Sequence, residues 1–161
     1  MTTQNLFDFK YGEVHIKAKL PEGQGTWPAL WMLGKNIDSV GWPFCGEADI
    51  MEHGDGQSGL VSSAVHLANS DGNHYFLRGD QLIENVTSDF HIYKIVWSSN
   101  KMEFFVDDKK HHDFTINNSM PFNQPFFLIL NVAMGGDFTN DNIDPNFTSA
   151  TMEIDYVRVY Q

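Results

Sequence analysis

Hydrophobic and polar residues alternate along much of this chain, and the alternation predicts short β-strands. It is clearest in residues 11–20, where Val14, Ile16, Ala18 and Leu20 are separated by polar or charged residues. Successive side chains on a strand point to opposite faces, so one face of this segment is predicted to be buried and the other solvated.

Comparable segments recur along the chain and are separated by turns rich in Gly, Pro, Asn and Asp. The further predicted strands cover residues 27–33, 60–67, 75–77, 90–97, 102–107, 126–133 and 151–160. Residues 54–59 and 137–149 are predicted loops, and His111 and His112 are predicted to lie in a solvated turn. No helical period of any length and no repeat is visible. Many short strands in one domain of 161 residues predict an all-β antiparallel sandwich spanning residues 1–161.

Three carboxylates, Glu47, Asp49 and Glu52, lie among apolar residues in the segment 42–55. On a regular strand Glu47 and Asp49 share a face, whereas Glu52 points the other way. One extra residue, Ile50 or Met51, would bring Glu52 to the same face as the other two. Such β-bulges are common beside active sites.

A row of carboxylates is costly, because neighbouring negative charges raise one another's pKa. The arrangement becomes useful when one carboxyl is protonated and another is ionised, as glycoside hydrolysis requires. The residues alone leave two alternatives open, namely a solvated acidic strand face and a calcium-binding loop.

Four ordered motifs resemble those of glycoside hydrolase family 16, and of laminarinases in particular. They are Leu-Pro-Glu-Gly with Gly-Thr-Trp-Pro-Ala-Leu-Trp-Met-Leu at 20–33, Trp-Pro-Phe-Cys-Gly-Glu-Ala-Asp-Ile-Met-Glu at 42–52, Asn-Val-Ala-Met-Gly-Gly at 131–136, and the terminal segment 152–161. The resemblance implies a β-jelly roll of the concanavalin A-like type with a concave substrate cleft. Relatives usually carry additional strands before the segment at 7–12, so the domain is expected to be short at its N-terminus.

The resemblance also implies a retaining endo-glycosidase that cleaves β-1,3 bonds in laminarin-like glucans, with mixed β-1,3-1,4 glucans as a further expected substrate. Glu47 is then the nucleophile, Glu52 the acid and base, and Asp49 the residue that holds Glu47. The expected substrate-binding residues are Trp27, Trp31, Trp42, His66 and Asn131. No cofactor is expected to be required. A structural calcium at Asp155 is an additional expectation.

Charge restricts the partners of the chain. Asp and Glu number 21 against 10 Lys and Arg, giving a formal net charge of -11. Nucleic acids and anionic membranes require basic surfaces, so neither is an expected partner. A sulfated polysaccharide is disfavoured for the same reason. A neutral β-glucan is the expected partner.

Two further expectations concern Cys45 and the location of the protein. Cys45 is the one cysteine, so no intrachain disulfide forms, and we expect it to be a small buried residue. The sequence begins without the basic and apolar segments of a signal peptide. An extracellular or periplasmic location is expected from the family resemblance.

Two alternative functions remain at this point. One is a β-glucan-binding module on the same fold without turnover. The other is a family relative that acts on agarose or carrageenan. The presence of both Glu47 and Glu52 favours the enzyme over the binding module.

Overall fold

Two antiparallel sheets of five strands each form the fold. The computed structural model describes residues 1–54 and 59–161, so most of the predicted loop at 54–59 lies outside the described residues. The strands are β1 (Gly12–Lys19), β2 (Thr26–Gly34), β3 (Glu47–His53), β4 (Leu60–Ala68), β5 (His74–Leu82), β6 (His91–Trp97), β7 (Lys101–Val106), β8 (Lys109–Thr115), β9 (Phe126–Met134) and β10 (Glu153–Tyr160). One sheet has the order β10-β1-β6-β7-β8, and the other has the order β5-β4-β3-β2-β9.

The hydrophobic core lies between the two sheets. In β1 the residues predicted to face inward, Val14, Ile16 and Ala18, are all buried. Opposite them, Leu30 and Met32 of β2 and Ile50 and Met51 of β3 are fully buried. These alternating inner faces confirm the predicted sandwich, because each sheet needs the other to cover its apolar side.

The predicted turn at His111 and His112 is wrong, because both residues belong to strand β8. The ring of His112 stacks on Phe104 with centroids 5.5 Å apart, and His111 Nε2 lies 2.9 Å from Ser63 Oγ. β8 is an edge strand of mostly polar sequence, so its own pattern of residues does not predict a strand. It is extended because it pairs with β7. Strand β5 is likewise longer than its predicted apolar segment.

The first residues of the chain run along the outer edge of β9. Thr2 bridges Ile129 and Phe9 bridges Phe126, so the free edge of this strand is partly covered. Helical structure in the described residues is limited to α1 (Ile37–Val40) and a 3-10 helix at Asp137–Thr139. Among those residues, no helix has the length and apolar character needed to cross a bilayer.

Candidate active site

A β-bulge in β3 brings the three carboxylates to one face of the sheet. Asp49 pairs with Trp31 of β2 and Met51 pairs with Leu30, so Ile50 is the extra residue in that pairing. Ile50 and Met51 are both fully buried in the core. The bulge predicted from the carboxylate spacing is therefore confirmed, and its driving force is the burial of two adjacent apolar side chains.

The carboxylates line a groove made of two adjoining depressions. One, of about 230 Å³, lies over β2 and β9 and is lined by Trp27, Ala29, Trp31, Glu47, Asp49, Glu52, Asn131 and Ala133. The other, of about 500 Å³, lies over β4 and β5 and is lined by Trp27, Trp42, Glu47, Glu52, Ala64, His66, His74, Phe76, Arg78, Asp137 and Phe138. Glu47 and Glu52 border both depressions, so a chain lying along the groove would pass over both side chains.

Each glutamate accepts a hydrogen bond from an indole N–H. Trp42 Nε1 donates to Glu47 Oε2 at 3.0 Å, and Trp27 Nε1 donates to Glu52 Oε1 at 3.0 Å. These bonds fix the carboxylates and stabilise their ionised forms. The pattern of Trp residues in the sequence suggested sugar platforms and gave no sign of these hydrogen bonds.

The predicted pair Trp31 and Asn131 lies on the floor of the smaller depression. Trp31 Nε1 donates to Asn131 Oδ1 at 2.8 Å, which positions the amide on β9 across from the indole on β2. This bond uses the amide oxygen of Asn131, which lines the depression, and leaves its amide N–H groups available as donors.

His66 contacts the carboxylates from strand β4. Its Nε2 lies 3.1 Å from Asp49 Oδ2 and 3.9 Å from Glu47 Oε1, and its Nδ1 lies 2.8 Å from His74 Nε2. The His66 ring also stacks on Phe76 with centroids 5.4 Å apart. The structure thus brings together all the residues of the sequence prediction except Asp155.

Several groove residues were missed by the sequence analysis, among them His74, Phe76, Arg78 and Phe138. His74 and Phe76 lie on β5 beside His66, while Phe138 stacks on Trp27 with centroids 5.3 Å apart. The Arg78 guanidinium lies 5.1 Å from the Phe138 ring centroid. No motif marked these residues, since Arg78 follows the predicted short strand and Phe138 lies in a predicted loop.

Burial raises the pKa of all three carboxyls. The pKa of Glu47 rises to about 8, mainly through burial and then through the charge of Asp49, while His66 and the Trp42 hydrogen bond act in the opposite direction. Burial also raises the pKa of Glu52, against the Trp27 hydrogen bond and the charges of His66 and Arg78. Burial and the charge of Glu52 raise the pKa of Asp49 well above its usual value. All three pKa values are raised, and the carboxyls are close enough to titrate together as one cluster.

Two places in the structure offer ligand atoms for a metal ion. Glu47, Asp49 and His66 each offer a ligand atom, and these atoms lie within 4.8 Å of one another, so the groove has the donor set of a cation site. Asp155 fits calcium less well, because its Oδ2 is 2.7 Å from Lys17 Nζ and a lysine ammonium competes with a cation for that oxygen. The calcium expected at Asp155 stays a prediction, and no step of the chemistry depends on it.

Comparison with known proteins gives matches over nearly the whole chain. A family model described as "Glycosyl hydrolases family 16" matches residues 2–158. The chain is 36% identical to the glucan endo-1,3-beta-glucosidase A1 of Niallia circulans over 100% of its own length, and 36% identical to a beta-glucanase of Rhodothermus marinus, also over 100%. It spans only 26% and 61% of the lengths of these relatives.

Solved laminarinases have the same fold. The laminarinase from Flavobacterium sp. UMI-01 superposes with a TM-score of 0.91 at 40% identity, covering 99% of this chain and 71% of that one. A LamA protein from Z. galactanivorans, solved in complex with laminaritriose and laminaritetraose, superposes with a TM-score of 0.90 at 36% identity, covering 97% of this chain and 67% of that one.

Proposed function

Since this chain belongs to glycosyl hydrolases family 16, we propose that it cleaves internal β-1,3-glucosidic bonds of laminarin-like glucans. The observation that carries this proposal is the bulge in β3, which directs Glu47, Asp49 and Glu52 into one aromatic groove. The similarity to laminarinases supports the substrate class. Mixed β-1,3-1,4 glucans are proposed as additional substrates.

The proposed mechanism is a double displacement with retention at the anomeric carbon. Glu47 attacks that carbon and forms a glycosyl-enzyme ester, while Glu52 gives its proton to the leaving oxygen. Glu52 then removes a proton from water, which attacks the ester and releases Glu47. The chemistry needs Glu47 ionised and Glu52 protonated when the substrate binds.

Asp49 resolves a conflict in this assignment. A pKa of about 8 is high for a nucleophile, yet part of the increase comes from the charge of Asp49. Glu47 has Trp42 and His66 to stabilise its ionised form, and Glu52 has Trp27 and Arg78. Asp49 is the most deeply buried of the three carboxyls, and burial together with the charge of Glu52 raises its pKa, so Asp49 is the carboxyl best placed to keep a proton. With Asp49 neutral, that part of the increase is removed and the pKa of Glu47 falls toward the range that a nucleophile needs.

The aromatic residues of the groove are proposed to bind glucose rings. Trp31 and Trp42 present half-buried or exposed ring faces, against which the C–H faces of sugars can pack. Asn131 and His66 supply polar atoms for the hydroxyls. Glu47 and Glu52 line both depressions, so a glucan chain can extend to either side of them, which suits cleavage within a chain rather than at its end.

A direct assay tests this proposal. Incubation with laminarin should release new reducing ends, and proton NMR of the first product should show the β-anomer before mutarotation. Lichenan should be cleaved more slowly, and agarose and carrageenan should not be cleaved. Binding to laminarin without any new reducing ends would favour the glucan-binding module, and an α-anomer as first product would exclude double displacement. We also propose that the protein acts outside the cell, as its resemblance to the family implies.

A further inference from the structure

A third depression, of about 540 Å³, lies outside the groove at one end of the sandwich. Five of its lining residues carry side-chain amides, namely Asn36, Asn69, Asn118, Asn123 and Gln124. Phe44 provides an aromatic wall, and no charged residue is among the described residues that line it. We call it the Phe44 pocket.

The amides of the Phe44 pocket have hydrogen-bonding capacity that the protein itself does not use. Asn36 Oδ1 is buried and has no hydrogen-bond partner in the described part of the chain. Buried polar atoms without a partner are rare, because each costs the desolvation of a hydrogen-bonding group. Gln124 is held in place, since its Nε2 donates to Cys45 O at 2.8 Å and to Pro121 O at 3.2 Å. Both hydrogens of Gln124 Nε2 are used in these bonds, so Gln124 is a fixed part of the wall with only its amide oxygen left for a ligand.

Phe44 adds an apolar surface beside these amides. Its side chain is 49% exposed, so about half of it is accessible to a ligand. Gly72 stands near the ring edge, where an added Cβ would lie 3.6 Å from Phe44 Cζ. That is an ordinary contact distance, so Gly72 lies against one edge of the ring.

The composition of the pocket selects one class of ligand. An ion would find no opposite charge in the described lining, and anions are further opposed by the net charge of -11. A wholly apolar ligand would bury the amides without hydrogen bonds. A neutral sugar satisfies both components, since its C–H face packs on an aromatic ring and its hydroxyls pair with amides.

The position of the pocket relates it to the groove. Phe44 lies two residues after Trp42, and Ala68 of the pocket lies two residues after His66, so the pocket adjoins the groove where β3 begins and β4 ends. We propose that the Phe44 pocket is a second carbohydrate-binding site, which holds a neutral glucan beside the groove. That the sugar is a β-1,3-glucan rests on the proposed function, whereas the carbohydrate class rests on the pocket itself.

NMR titration with laminaritriose tests this site separately from catalysis. The titration uses the Glu52→Gln protein, so that the sugar is not consumed. Two groups of signals are followed, the indole N–H resonances of the groove tryptophans and the side-chain amide resonances of Asn118 and Asn123, each assigned from its Ala variant. Both groups should shift, with separate saturation curves.

The matched variants are Phe44→Ala and Phe90→Ala. Phe90 is 40% exposed and directly precedes β6 in the other sheet. Phe44→Ala should weaken the binding reported by the amides about tenfold and leave the binding reported by the indoles unchanged. Phe90→Ala should change neither. If the NMR spectrum of Phe44→Ala loses its dispersion, the variant is unfolded. Asn118→Ala then takes its place, and the side-chain amide signal of Asn123 reports the binding.

The outcomes separate this site from the proposed function. Indole shifts without amide shifts, or amide shifts that persist unchanged in Phe44→Ala, would overturn the pocket while leaving hydrolysis intact. Amide shifts in Glu52→Gln, together with no release of reducing ends from laminarin by the unmodified protein, would support the pocket and refute the enzyme. Equal shifts with xylotriose would support a carbohydrate site but not one for glucans.

Discussion

Replacing Trp27 and Trp42 by Phe, one at a time, tests which glutamate is the nucleophile. Each indole N–H donates to a different carboxylate, Trp42 to Glu47 and Trp27 to Glu52, both at 3.0 Å. Phe removes the donor and keeps a ring, and in Trp27→Phe the ring can still stack on Phe138. Loss of a donor to a carboxylate destabilises its ionised form, so the pKa of that carboxyl rises.

The expected size of each change follows from the geometry. A hydrogen bond to a charged group contributes about 1.5–3 kcal/mol, and about 1.4 kcal/mol corresponds to one pH unit. Water can enter the groove and replace part of the lost bond, so we expect the pKa of Glu52 to rise by about one pH unit in Trp27→Phe. Trp42 is 47% exposed, so replacement by water is easier there and the increase for Glu47 should be under about one unit.

The pH dependence of kcat/KM on laminaritetraose is the assay. Activity needs ionised Glu47 and protonated Glu52, so the acidic limb follows Glu47 and the basic limb follows Glu52. Trp27→Phe should move the basic limb to higher pH, and Trp42→Phe should move the acidic limb to higher pH. Both variants can lose contacts with the sugar, which lowers the maximum of kcat/KM but does not change the pH values of the two limbs.

Trp31→Phe is the matched control, because the Trp31 indole donates to the Asn131 amide and to neither glutamate. Both of its limbs should stay where they are in the unmodified protein. If Trp27→Phe moved the acidic limb and Trp42→Phe moved the basic limb, the roles of Glu47 and Glu52 would be reversed. Equal movement in all three variants would refute the argument from the indole hydrogen bonds.

Four further predictions follow. Glu47→Gln and Glu52→Gln should each lower laminarin hydrolysis by roughly 10²–10⁴-fold while circular dichroism stays unchanged; full activity in either would contradict the mechanism. Asp49→Asn should slow hydrolysis about tenfold to hundredfold, and a normal initial rate would discard its positioning role. Gly34→Ala should lower the free energy of unfolding by about 2 kcal/mol or more, because its Cβ would lie 2.0 Å from a backbone carbonyl oxygen; a normal urea midpoint would be inconsistent with that contact. Burial lowers the pKa of His111 to about 4, below its unfolded value near 6.5. Between those pH values the unfolded chain binds more protons than the folded chain, so stability falls as the pH falls. His111→Gln should therefore remove about 1–2 kcal/mol of the difference in unfolding free energy between pH 7 and pH 5, and an unchanged difference would refute this prediction.

The bulge could be predicted from the sequence because two regular patterns conflict there. Glu47 and Asp49 have the spacing of one strand face, and Glu52 breaks it while Ile50 and Met51 form an apolar pair. A single inserted residue satisfies both requirements, and the structure has it at Ile50. Local chemistry was enough to predict the central element of the site.

The far side of the groove could not be predicted, since its residues are brought there by long-range pairing. Arg78 reaches the site because β5 pairs with β4 along nine residues, and its own segment shows little apolar alternation. Phe138 is placed by its stacking on Trp27, a contact between residues distant in sequence. Strand β8 was missed for the same reason, because its pairing with β7 and not its own polar sequence makes it a strand.

The buried bulge has a consequence for protein engineering. Ile50 and Met51 fill the interior directly behind the carboxylates, so the volume of the packed core determines where the acidic side chains stand. Substitutions chosen there to raise heat tolerance will also alter the reaction rate, because interiors transmit small displacements rather than absorbing them. Variant libraries for thermostability should therefore sample the sheet that carries β6 and β7, and keep the two residues of the bulge unchanged.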